Sequence, residues 1–215
     1  MMNEPQFIGE IIEASTSEFT AESFTLHSPP RFGSFVKIPL EGAGEMPAAS
    51  DDPFAEDSGT VSPAIFAVVY SATTTSTEPG KQPRAYWKAE DELAREQPQL
   101  AEWLLMTKFQ CAIVGFALDG SIRRYLPPMP PRIHTQVFSC APSEIARLTD
   151  KLDFLRTLVG FRNAPSDEMV AACIREAYTE RGEDAEFLVD AGKELANLLK
   201  DDYERLHAIV RRIVP

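Results

Sequence analysis

The side chains in this chain that could do chemistry are three histidines, His27, His134 and His207, three cysteines, Cys111, Cys140 and Cys173, and a group of arginines around a proline run. A nucleophilic triad needs Ser or Cys beside a His and an acid, yet none of the three histidines belongs to a recognisable local motif. The cysteines are odd in number and far apart, each in an apolar context, where a disulfide framework or a zinc site needs close pairs. They read as small buried hydrophobes in a reducing compartment. No H-x-x-x-H, H-E-x-x-H or C-x-x-C occurs, so no metal is expected. The nearest text to a phosphate loop, EPGKQP, lacks the first glycine and the following hydroxyl, which removes the commonest nucleotide-binding machinery. No catalytic residue and no cofactor is therefore assigned.

What remains is RRYLPPMPPRIH, residues 123–134, with four prolines in five residues between two strand-like segments. Prolines fix φ and remove backbone donors, which excludes helix and central strand alike. One reading is a polyproline II ligand for an aromatic groove. The reading preferred here is structural: the run ends a strand, blunts a sheet edge and forms a rigid seam handing the chain to a helical region. Arg123, Arg124 and Arg132 make the only concentrated basic spot in the strand-rich half, and with Tyr125 and His134 they form the candidate interaction site.

The elements that must position this spot follow from periodicity. FIGEIIEAS, EFTAESFTL and SFVKIPL read as three short strands in a meander, and a central strand is expected at about residues 64–74. FQCAIVGFALDG and SIRRYL form a hairpin on Asp119-Gly120, and RIHTQVFSC reads as a last short strand. Residues 41–60 carry Glu41, Glu45, Asp51, Asp52, Glu56 and Asp57 with no Lys or Arg, and read as a disordered acidic loop. A helical insertion is expected over 86–107, kinked near Pro98.

From Pro142 onward three helices are expected, the first carrying Ile145, Leu148, Leu152, Leu155 and Leu158, the second starting near Ser166 and stopping at Gly182. The third, 184–213, carries Leu188, Leu195, Leu198, Leu206 and Ile209 on one stripe, a candidate helix interface for self-association. Strands first and helices last make an α+β order, a strand-rich half over 6–140 followed by a three-helix region over 141–215.

The run FIGEIIEASTSEFTAESFTLHSPPRFGSFVKI, with Gly9, Ile11, Ile12, Pro29-Pro30, Gly33 and Val36, resembles the HAS-barrel domain of HerA-type translocases and ATP synthase ring subunits. With RYLPPMPPRIH and the helical LDFLRTLV, the chain looks like an uncharacterised bacterial group of HAS-barrel proteins that lacks the ATPase domain. The resemblance implies a small six-stranded β-barrel over 6–140, interrupted by the acidic loop and the helical insertion, and a role in assembly rather than catalysis.

The net charge of −12 opposes contact with phosphate backbones and argues against direct nucleic-acid binding. No apolar run reaches the length of a membrane span, so a cytoplasmic protein is expected. The function expected is a non-enzymatic interaction or assembly module, binding a protein partner or a second copy. The alternatives are an accessory factor of a DNA-processing or ATPase ring complex, and an enzyme acting on an anionic substrate near His134.

Overall fold

The computed structural model describes residues 6–40, 62–78, 80–83, 85, 95–96 and 104–213. Its strands are β1 (Phe7–Ala14), β2 (Glu18–Ser23), β3 (Phe35–Pro39), β4 (Ala64–Ser76), β5 (Leu105–Leu118), β6 (Ser121–Arg123) and β7 (Gln136–Ser139). Five helices follow: α1 (Pro142–Thr149), α2 (Phe154–Val159), α3 (Ser166–Glu180), α4 (Ala185–Leu198) and α5 (Tyr203–Ile213). All strand pairs are antiparallel, in the order β2-β1-β7-β3-β4-β5-β6. Pairing of β2 with β5, from Glu18 opposite Ala112 to Glu22 opposite Lys108, closes six of these strands into a barrel. The chain is thus α+β with a closed antiparallel barrel, and closure leaves the six strands without a continuous free edge.

Two faces of the same strands explain the architecture. Ile65, Ala67 and Val69 of β4 join Phe109, Cys111, Ile113 and Phe116 of β5 in the barrel interior, together with Ile11, Phe19, Val36, Ile38 and Val137. Ala64, Phe66, Val68 and Tyr70 of β4, with Ala112, Val114 and Ala117 of β5, face outward into a second core shared with the helices. A strand apolar on both faces is one covered on both faces. The inward parity on β5 changes between Ile113 and Phe116 because the register shifts there, opposite Phe66 and Ala67.

The β5–β6 hairpin turns on Asp119 and Gly120, with φ of 52° and 71°, the left-handed pair that a two-residue type I′ turn needs. β6 pairs only at its short register, Phe116–Leu118 of β5, on the edge that β2 occupies further along.

The expected meander fails at its third strand. β3 pairs with β4 and β7, not with β2, because the far edge of β2 is taken by β5 in closing the barrel. The proline run is likewise not the seam between barrel and helices. It leads into β7, which sits between β1 and β3 inside the barrel wall. The helical insertion expected over 86–107 does not reach its predicted end: Leu105 to Thr107 are strand, paired with β4 in a ladder that runs to Ser76. Arg95 and Glu96 are helical, and the rest of 86–103, like the acidic stretch 41–60, lies outside the described residues.

Three expected helices become five. The first stops at Thr149, whose hydroxyl donates back to the Ile145 carbonyl at 2.7 Å, and resumes at Phe154. The last breaks after Leu198, and Asp202 caps the new start by accepting from the Arg205 amide at 3.0 Å. No helix among the described residues is long and apolar enough to cross a membrane.

Gly33 shows how closely barrel and helices meet. Its φ is 85°, and a Cβ there would stand 2.5 Å from the Ala172 Cβ on α3. Gly182 has a comparable φ of 73° but open space around it. Gly33→Ala combines left-handed strain with overpacking and is expected to destabilise the fold by about 2–4 kcal/mol. Gly182→Ala carries the strain alone, about 1–2 kcal/mol, and chemical denaturation of both variants should show that ranking.

Candidate functional site

The proline run crosses one mouth of the barrel. After β6 ends at Arg123, Pro127 and Pro131 turn inward and are buried, while Pro128, Met129 and Pro130 stay exposed. Beneath them lies a groove of about 220 Å³ whose floor is Ile38, Ile65, Phe116 and Leu118, the ends of β3, β4 and β5. Pro127, Met129 and Pro131 supply one wall, with Arg132 at the same rim. Prolines suit such a crossing, since a segment with no sheet partners loses little by lacking N–H donors and has little backbone freedom left to lose.

The crossing is fastened at its far end. Backbone amides of His134 and Ile11 exchange bonds with Ile11 and Thr135 carbonyls at 2.8 and 3.0 Å. His134 sits at φ 68°, a conformation unfavourable for a side chain other than glycine. Its Nδ1 lies 2.7 Å from Glu10 Oε1 on the open surface, with the imidazole 79% exposed. The hollow beside it, about 470 Å³ and open to solvent, is lined by Pro39, Arg132, Ile133, Thr135, Gln136 and Phe138 together with His134 itself. His134 thus acts as a loop corner.

The arginines part company in the folded chain. Arg124 is structural: its Nε and Nη2 donate to the Leu148 and Arg147 carbonyls, both at 2.7 Å, at the C-terminal end of α1. Arg181 of the α3 end donates to the Ala146 carbonyl of the same turn at 2.8 Å. Two guanidiniums therefore satisfy carbonyls that a helix leaves without partners, and their charge complements the helix dipole. Burial lowers the Arg124 pKa from its ordinary value, with Asp150 and Asp153 opposing that shift.

Arg123 and Arg132 face the barrel mouth instead. The Arg123 guanidinium lies 5.5 Å from the centroid of Phe116, a groove residue, and the Tyr125 ring meets the same Phe116 edge-on at 5.5 Å and 86°. Of the five residues expected to form one interaction spot, Arg123, Tyr125 and Arg132 gather at the mouth. Arg124 turns away beneath α1, and His134 closes the loop beyond.

The leucine stripe is not a free interface. Leu195 and Ile209 are fully buried, and Leu188, Leu198 and Leu206 are half-buried against the same internal core. The break before α5 lets the last helix fold back along α3, which it contacts through Arg205 to Asp167 at 2.7 Å and Arg212 to Glu168 at 2.6 Å.

Sequence reading gave no sign of two polar ties between barrel and helices. Lys37 of β3 reaches Glu144 of α1 at 2.5 Å, while Glu144 also accepts from the Ala141 amide at 2.8 Å. Tyr70 of β4 donates to Glu18 at 2.7 Å, and Asn163 donates to the other oxygen of that carboxylate at 2.9 Å. Burial and then the Glu18 bond push the Tyr70 phenol well above its ordinary pKa. Only the chain's folding brings these pairs together, and no local spacing announces them. Cys111 and Cys173 are buried and Cys140 is half-buried, and burial raises all three thiols well above the ordinary thiol range, away from reactive thiolate. Among the described residues no group of three or more His, Cys, Asp or Glu could hold a metal ion.

No protein-family model matches the chain, and no curated protein matches it.

Arg124→Met leaves carbonyls of α1 without donors and is expected to cost about 2–3 kcal/mol. Arg132→Met is expected to stay within about 0.5 kcal/mol of the parent. Thermal unfolding of the two variants measures that contrast directly.

Proposed function

We propose that the chain is a non-enzymatic interaction module of the cytoplasm that meets a protein partner through the proline-capped mouth of its barrel. One observation carries this reading. Of the nine exposed large hydrophobic side chains among the described residues, four, Tyr125, Leu126, Met129 and Ile133, fall within residues 125–133. Exposed apolar side chains scattered singly need no explanation, but a cluster on a stiff segment marks a contact surface.

The composition of the patch supports the same reading. Tyr, Met and Arg are the residues enriched where proteins meet, and the prolines hold them at little further entropic cost on binding. The groove is below the roughly 300 Å³ at which small-molecule and cofactor sites begin. The hollow beside it does gather Arg132, His134, Thr135 and Gln136, but the His134 imidazole stands exposed and paired with Glu10, which sets the enzyme reading behind the interaction reading. The HAS-barrel resemblance adds that an assembly partner fits the class of protein this chain is similar to. An accessory role on a DNA-processing or ATPase ring complex remains the alternative within that class.

Placing the photoreactive residue benzoylphenylalanine at Met129 should give a discrete crosslinked protein in the native cell. The same residue at Val189, exposed on α4, serves as the comparison and should give none. Absence of any adduct from position 129, with the chain folded and present at normal level, would overturn the reading.

A further inference from the structure

The chemistry of the barrel mouth also specifies what kind of partner segment it takes. Resting on the interaction reading above, we infer that the groove receives an apolar anchor side chain from a partner segment whose neighbouring residues are acidic. The floor of Ile38, Ile65, Phe116 and Leu118 and the proline wall offer apolar contact on nearly every side. A groove of about 220 Å³ has room for one large side chain, not for an extended ligand. Such a pocket is where an interface concentrates its binding strength.

Charge selects the flanking residues. Among the described residues no acidic side chain lines the groove, and the one charged lining residue is Arg132, exposed at the rim. Arg123 adds a second guanidinium over Phe116, while Arg124, which would have made a third, is committed to the carbonyls of α1. In a chain of net charge −12, the described residues thus bring two guanidiniums to this opening. A neutral or basic segment would gain nothing from the two guanidiniums, whereas carboxylates beside the anchor can accept planar, paired hydrogen bonds from them. Rim charges of this kind steer association and select partners more than they add affinity.

The segment comes from another protein, because the exposed apolar side chains continue past the groove along Tyr125, Leu126 and Ile133, a larger surface than one anchor covers. The test uses the full-length chain and a displayed library of random twelve-residue peptides. The parent protein should enrich peptides with Phe, Trp, Leu or Met flanked by Asp or Glu within about three positions. Arg132→Glu, an exposed change monitored for folding by circular dichroism, should weaken those peptides at least tenfold and shift selection toward Lys and Arg. Met129→Asp should weaken all of them.

Enrichment of neutral or basic peptides by the parent, or selection unaffected by Arg132→Glu, overturns the inference while leaving the crosslink at Met129 to decide the interaction reading. If the parent enriches nothing but Phe54→Ala does, the occupant is the chain's own sequence DDPFAED, residues 51–57, and the partner segment is overturned. If neither enriches a peptide, the groove takes no such segment.

Discussion

The fold depends on strands β4 and β5 being apolar on both faces. Ile65, Ala67 and Val69 fill the barrel, while Phe66, Val68 and Tyr70, the residues between and beside them, support the helices. Each Val, Ile or Phe among them contributes about 1.5–3 kcal/mol on removal from water, before entropy is set against it. Sharing one wall between two cores lets a short chain bury both without a second sheet. It also makes barrel and helical region mutually dependent, since exposing either core exposes one side of the same strands.

Charged side chains then fix the helices on that wall. Lys37 holds the start of α1 through Glu144, and Arg124 holds its end through backbone carbonyls. Arg181 ties α3 to the same carbonyl end, and Arg205 links α5 to Asp167 and to the Val159 carbonyl at the end of α2. These are half-buried, charge-assisted contacts, a different matter from exposed ion pairs such as Lys193 with Asp190. Because Arg124 is occupied in this way, the barrel mouth is left to Arg123 and Arg132.

Strand identity was legible where local pattern and burial agree. The β-branched run around 64–74, the Asp119-Gly120 turn and the strand before β5's hairpin could all be read from composition and spacing. Neighbourhood could not. That β2 pairs with β5 and β7 enters between β1 and β3 depends on closure of the barrel, a constraint no short window contains. The stripe from Leu188 to Ile209 was visible as apolar periodicity, but the break at residues 199–202 that folds it onto its own core was not. For the site, the arginines and Tyr125 stood out as residue types, whereas the separation of Arg124 from its neighbours follows from a helix end more than twenty residues away.

A proline run that seemed to divide two regions instead completes one of them and presents an apolar, arginine-rimmed opening. This surface rests on the ends of β3, β4 and β5, so its shape is only as persistent as the shared wall. Native-state hydrogen exchange tests that dependence most directly. Amides of Val68, Val69, Ala112 and Ile113 on the wall and of Cys173 and Ile174 in α3 should exchange only through one global opening, with a common free energy and denaturant slope. Exchange of the α3 amides through a separate opening of lower free energy, with the wall still protected, would contradict the account.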